Sequence, residues 1–332
     1  MHEISESMEL LSQITLPIQR ELNDFITLFN QSLTHSDGLL GQALSHIRNR
    51  GGKRMRPMLI LLIAKNYGGV NESTLHSAVG LELLHTASLV HDDVVDEARE
   101  RRGQASVNAS YDNKVAVLVG DYILSTSLLH VSYTHNERIF AQIADLGRSL
   151  SKGEILQLTN TDENGLSEDK YFEVIENKTA ALFESCCVIG AISAGLSMSA
   201  IEEVRLFGHY IGTIFQIRDD IFDYYDSANI GKPTGNDMAE GKLTLPILYA
   251  LNSTHDTQMI ALSKKVKDGS VSIDEIHRLV RFAKENGGID YAAKRMDEYS
   301  MKCYDFIDRC VSLPDVADAL RAYVAFVSKR SI

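Results

Sequence analysis

Proline is scarce in this chain, with five residues in 332 and none between Pro57 and Pro233. Because a proline ring breaks helix interiors, that long gap, with Leu, Ala and Glu plentiful and little alternating β-branched pattern, predicts helices throughout. Cysteine is sparse too. Cys186, Cys187, Cys303 and Cys310 form no CxxC or Cys/His metal spacing, so they predict reduced thiols in a cytoplasmic core. Basic residues are outnumbered, 33 against 45 acidic, for a net charge of −12. That balance argues against a nucleic-acid surface and makes the basic clusters at 48–56 and 99–102 local exceptions, the places to look for a bound anion. The uncharged run Ser185 to Ile201 contains Gly190 and Gly195 and falls short of the roughly 20 residues a membrane span needs. It reads as a buried helix ending near Gly195. The acidic start, Met1 to Glu6, lacks the basic flank and apolar core of a signal peptide.

What the chain does have is a doubled acid motif. His91-Asp92-Asp93-Val94-Val95-Asp96 closes a long apolar-periodic run from Leu75 to Val94 and is followed by Arg101, Arg102 and Gly103. On a helix, Asp92 and Asp96 share one face a turn apart, where they repel each other at the wrong end of the helix dipole. A hard cation such as Mg²⁺, which bridges carboxylates to phosphate, resolves both costs. Taken alone, the motif also fits a solvated acidic helix end. However, Gln216-Ile217-Arg218-Asp219-Asp220-Ile221-Phe222-Asp223 repeats the spacing 127 residues later, again after an apolar helical run. Two such clusters predict two helix ends facing each other across one pocket.

Residues 8 to 33 carry a heptad-like apolar pattern and predict one amphipathic helix. A second helix starts near Asp37 and runs to Arg50. Gly51-Gly52-Lys53-Arg54-Met55-Arg56-Pro57 then crowds three cations beside a flexible turn; it fits a phosphate grip or a basic solvent loop equally well. Met58 to Tyr67 predicts a short helix. Asn71, Ser73 or Thr74 caps the long helix that ends at Asp96, with His85 seven residues before Asp92. Helices follow over Lys114 to Ser132, Asn136 to Gln157 and Tyr171 to Ile189, with a loop from Thr159 to Glu168. Glu154 and Gln157 are a polar pair in an apolar helix end, and Lys178-Thr179 enters an apolar surface. Gly231-Lys232-Pro233-Thr234-Gly235-Asn236-Asp237 and Glu240-Gly241-Lys242 suit a lid. Three or four amphipathic helices complete the chain, and no linker marks a domain boundary.

Together these residues resemble the all-trans isoprenyl diphosphate synthases. The matches are GGKRMRP at 51–57, the first acid motif with its arginines at 92–102, GEILQL at 153–158, KT at 178–179, the second acid motif at 216–223, GKPTGND at 231–237 and EGKLTLP at 240–246. They fall in the family's order across most of the chain. The resemblance implies one all-α domain over 1–332 with the isoprenoid synthase fold, a helical bundle around a deep central cleft, and a homodimer. It implies that Asp92, Asp93, Asp96, Asp219, Asp220 and Asp223 surround two or three Mg²⁺ ions holding an allylic diphosphate. Arg101, Lys178, Lys232 and Lys242 would contact that diphosphate, and Lys53, Arg56, His85 and Arg102 that of isopentenyl diphosphate. Thr179 and Gln216, with Lys178, would act at the reacting carbon.

Small residues lie one turn below the first motif, where Ala87 and Ser88 leave space down to Leu84. Short-chain members of the family typically carry aromatic bulk at this place. The expected product is therefore a C30–C50 polyprenyl diphosphate, centrally C40, made from farnesyl or geranylgeranyl diphosphate. Competing readings are a C15–C20 synthase, a class I terpene cyclase, for which a second diphosphate site is superfluous, and a non-catalytic subunit. Release of so apolar a product allows transient membrane contact, although no basic amphipathic anchor is evident.

Overall fold

The computed structural model describes residues 2–36, 38–49, 51–101, 103–159, 166–225 and 234–329. Arg102 and Lys232, two of the expected diphosphate contacts, lie outside the described residues, as do Gly231 and Pro233 of the expected lid. The chain folds as α1 (His2–Thr15), α2 (Gln19–Ser32), α3 (Gly38–Asn49), α4 (Met55–Tyr67), α5 (Glu72–Val95), a hairpin of β1 (Glu100–Arg101) and β2 (Gln104–Ala105), α6 (Val107–Ser110), α7 (Asn113–Ser132) and α8 (Glu137–Thr159). After residue 166 come α9 (Glu168–Ile175), α10 (Ala181–Ser193), α11 (Met198–Phe222), α12 (Asn236–Ala239), α13 (Leu245–Thr254), α14 (Thr257–Lys267), α15 (Ile273–Glu285), α16 (Gly288–Cys310) and α17 (Pro314–Lys329).

Helix α5 is the axis of the bundle. Asn71 caps it by accepting from the Thr74 backbone N–H while the Thr74 hydroxyl accepts from Asn71 N–H, a reciprocal capping box. Val79, Leu81 and Leu83 are fully buried, with α4, α7, α10, α2 and α8 packed around them. Apolar burial of this kind is the main stabilising force, roughly 1.5–3 kcal/mol per large aliphatic side chain. A second, smaller core forms where Tyr224 and Met238 meet α13, α14 and α15.

Three expectations are corrected here. The single helix over 8–33 is two, because Pro17 sits in a 3₁₀ turn at Leu16–Ile18 between α1 and α2 and cannot donate to a continuous helix. Ile14, Ile18, Phe25 and Phe29 nevertheless face one core. The helix over 171–189 is interrupted by a five-residue π turn, Glu176–Ala180, between α9 and α10. From Leu245 on, the described residues form five helices rather than three or four, since His255 takes a left-handed conformation (φ 54°) and Asp256 caps a new start by accepting from Gln258 and Met259 N–H. A small antiparallel hairpin pairs Glu100 with Ala105, turning at Gly103, whose φ of +73° suits glycine.

Candidate active site

The two acid motifs end α5 and α11. A helix turns about 100° per residue, so the first and last acids of each triplet share a face while the middle one points elsewhere. Asp93 is fully buried and Asp220 is 3% exposed, so these two of the expected ligands turn inward relative to their more open neighbours. Asp93 accepts a 2.5 Å bond from Arg101 Nε, so Arg101 is directed at this carboxylate. Asp220 accepts from Tyr171 Oη at 2.5 Å and from Gln216 Nε2 at 2.7 Å. Both carboxylates are engaged by neighbouring side chains in this geometry.

Asp92 and Asp96 remain on the open side. Burial, then the neighbouring Glu154 carboxylate, pushes Asp92 up to about 6 against the opposing pull of Lys178 and Arg101. Glu154 in turn pairs with Lys178 Nζ at 2.5 Å. On the other motif, Asp219 is half-buried. Asp223 accepts from Asn236 N–H and Asp237 N–H at 3.0 and 3.1 Å, tying α12 to the end of α11. Among the described residues no three His, Cys, Asp or Glu side chains converge as a ready metal cage. The carboxylates of Asp92 and Asp96 on one motif and Asp219 and Asp223 on the other are hard oxygen donors of the kind that suit Mg²⁺, which is commonly held by one or two carboxylates together with water and substrate phosphate.

The π turn places Lys178 and Thr179 against this site; π turns widen a helix locally and recur at functional positions. Gly153 of α8 permits the approach, because a Cβ there would stand 3.2 Å from the Lys178 backbone nitrogen. The Thr179 hydroxyl donates to Gln216 Oε1 at 2.7 Å, and Gln216 donates onward to Asp220. A fixed line of polar groups therefore runs Thr179, Gln216, Asp220, Tyr171. Burial, then Asp237, raises Asp220 to about 8. Burial and the Asp220 charge hold the Tyr171 phenol well above its usual range.

Below Asp92 opens a cavity of about 1010 Å³ whose walls include Leu84, Ala87, Ser88, Leu124, Leu182 and Phe215, with Arg56, His85, Asp92 and Lys178 among its polar lining. A smaller space of about 230 Å³ is lined by Tyr171, Gln216, Asp220, Asp237 and Lys242, and Lys178 and Thr179 line both. The structure thus gathers Leu84, Ala87 and Ser88 with Arg56, His85, Asp92, Lys178 and Thr179 around the larger space, and Gln216, Asp220 and Lys242 around the smaller. Lys53 Nζ lies 4.9 Å over the Phe326 ring, and Lys242 Nζ reaches Glu240 at 2.6 Å. Tyr171 and the structural use of Asp237 were not foreseen. Tyr171 carries no spacing signal, and Asp237 was visible only as the last residue of a loop motif.

An all-helical bundle with two acid-bearing helix ends above an apolar shaft defines the isoprenoid synthase class of fold. Residues 37–282 match the family model "Polyprenyl synthetase", and the chain belongs to that family of prenyl-transferring enzymes. It is 36% identical over 307 residues to an octaprenyl diphosphate synthase of Haemophilus influenzae, covering 91% of each chain. Among solved structures it is similar to a geranylgeranyl pyrophosphate synthase from Bacteroides thetaiotaomicron, with TM-score 0.86, 48% identity and coverage of 97% of this chain and 100% of that one. It is also similar to a Caulobacter crescentus polyprenyl synthase complexed with calcium and isoprenyl diphosphate, with TM-score 0.88, 27% identity and coverage of 97% and 98%.

Proposed function

We propose that this chain condenses isopentenyl diphosphate head-to-tail with farnesyl or geranylgeranyl diphosphate, in the presence of Mg²⁺, to build an all-trans polyprenyl diphosphate of C30–C50, centred on C40. The observation that carries this reading is the apolar cavity below Asp92, kept open by Ala87 and Ser88 and large for a small-ligand site, for which roughly 300–1,000 Å³ is usual.

Asp92, Asp96, Asp219 and Asp223 present the carboxylates for two or three Mg²⁺ ions, and Lys178, Lys232 and Lys242 supply cationic contacts to the allylic diphosphate. When bound, Mg²⁺ neutralises the diphosphate as its carbon–oxygen bond breaks. Lys53, Arg56, His85 and Arg102 receive the second diphosphate. Arg101, held by Asp93, adds a further cationic contact to the allylic diphosphate. Thr179 and Gln216 hold oxygen dipoles near the allylic cation, and the apolar walls keep water from quenching it. The departing diphosphate takes the proton lost after carbon–carbon bond formation.

A homodimer belongs to this proposal. Leu118, Tyr122, Leu129 and Tyr133 of α7 and its C-terminal turn are exposed along one side, an apolar patch of the kind that marks an interface. So does a cytoplasmic location, supported by the buried, unbridged thiols of Cys186, Cys187 and Cys303.

The test is incubation of the purified protein with Mg²⁺, farnesyl diphosphate and labelled isopentenyl diphosphate, then sizing of the dephosphorylated products. Elongation past C30, abolished by a chelator and shortened by Ala87→Phe, is expected. A stop at C20 would instead favour the activity named for the Bacteroides structure, a reading its 48% identity supports.

A further inference from the structure

Most glycines of the bundle have a packing reason. Among described glycines without positive φ, a Cβ on Gly41, Gly68, Gly80, Gly120, Gly153, Gly190, Gly208, Gly212 or Gly288 would meet another atom at 3.2 Å or less. Several of these encounters are with the backbone of a neighbouring helix: Ile60 O for Gly190, Phe183 O for Gly208 and Ala180 Cα for Gly212. Close helix packing explains them.

Gly147 is different. It lies inside α8, far from either end, where glycine is a poor helix former compared with alanine. A Cβ there would have one neighbour within 4 Å, Leu84 Cδ1 at 3.9 Å, which is ordinary van der Waals contact. Nothing in the packing of α8 requires the missing side chain. What its absence leaves is a notch between α8 and Leu84, and both residues line the cavity below Asp92 together with Leu124 and Leu182. Leu84 is two turns of α5 below Asp92, about 12 Å down the shaft at 1.5 Å per residue. A methyl group on residue 147 would close that notch against Leu84.

We propose that Gly147 is a specificity-determining residue for product length, holding the shaft open on the α8 side at the level of Leu84 so that the growing polyprenyl tail can pass. The inference rests on the long-chain reading above. It differs from the roles of Ala87 and Ser88, which set the width on the α5 side one turn closer to the acids. Gly147, Leu84, Leu124 and Leu182 offer the tail apolar contact here, away from the mouth, so the effect on the first condensation is small.

The experiment compares product ladders of the wild type, Gly147→Ala and Gly147→Leu with farnesyl diphosphate as primer, alongside thermal unfolding and the rate of the first condensation. Gly147→Ala is expected to unfold about 2 °C higher, to keep the first-condensation rate within about twofold, and to end its ladder at least one C5 unit early. Gly147→Leu should end it earlier still, and adding Leu84→Ala to Gly147→Ala should restore the longer product. A long-chain wild type whose ladder is unchanged in both variants overturns the assignment of Gly147 alone; if the leucine variant does not fold, the alanine ladder decides. A wild type that itself stops at C15–C20 overturns the long-chain reading, and the role of Gly147 with it.

Discussion

At Asp220 the same side chain type that elsewhere meets solvent is enclosed by Tyr171 and Gln216, and both of its oxygens are in use. Its neighbour Asp219 is half-buried on the other side of the helix. The two acids therefore answer different experiments. Asp219→Asn removes a carboxylate from the side proposed to hold the cations, and the expected outcome is a higher Mg²⁺ requirement. Asp220→Asn replaces two accepting oxygens with one oxygen and a donor amide, which only the Tyr171 hydroxyl can accept, so the hold on Gln216 and Thr179 is weakened. Loss of such a supporting partner costs about ten- to a hundredfold in activity. Steady-state kinetics should show that loss in kcat, with KM for both diphosphates and the Mg²⁺ dependence little changed. A shifted Mg²⁺ dependence in Asp220→Asn would make it a ligand after all. The i, i+1, i+4 spacing was legible in the sequence. Which acid of each triplet turns inward was not, because it depends on what packs against α5 and α11.

At the scale of elements, three helices are joined by a polar contact unrelated to the acid motifs. Ser32 of α2 donates to Leu28 O at 2.7 Å and lies 2.7 Å from His130 Nε2 of α7. Its one proton is spent on Leu28, so it accepts from His130 Nε2–H. His130 Nδ1 is then the bare acceptor, and His76 Nδ1 of α5, 3.0 Å away, is the donor. Burial, then the nearby His76, lowers His130 to about 4; burial also lowers His76, against the opposite pull of Glu72. The folded pKa lies below the unfolded value of 6.5, so the unfolded chain takes up the proton first. Stability from this site is complete above pH 6.5 and is lost as pH falls toward 4, with a slope of at most about 1.4 kcal/mol per pH unit for one proton. Denaturant titrations between pH 6.5 and 5, above most carboxylate titrations, should show this decline in the wild type and a flatter profile in His130→Gln. The helices themselves were largely readable from apolar period and caps, as Asn71 shows for α5. The breaks at Pro17 and at the π turn were not: one proline is tolerated at a helix start, and a π turn leaves no mark in the apolar pattern.

The whole molecule presents α7 to its surroundings as a largely apolar face. Leu118 is 68% and Leu129 51% exposed, and α7 is long and apolar enough to cross a membrane by length and composition, with 39% of its most apolar window buried. A second copy covering this face is the expected state. Gel filtration with light scattering should give a dimer for the wild type and the 36.9 kDa monomer for a Leu118→Glu/Leu129→Glu variant, since burying two leucines contributes roughly 3–6 kcal/mol to association. A monomeric wild type that binds lipid vesicles would assign the face to a membrane instead.

By itself the sequence determined the helical class, the order of the helices, the two acid motifs and the small residues at Ala87 and Ser88, because helix period, capping and residue size are local properties written in consecutive positions. Only the tertiary structure decided that Asp93 and Asp220 turn inward, that the Glu176–Ala180 turn carries Thr179 to Gln216, and that Gly147, 60 residues after Ala87, shares its cavity. These depend on how distant helices approach and rotate against one another, which is set by long-range packing and is not encoded in any single stretch.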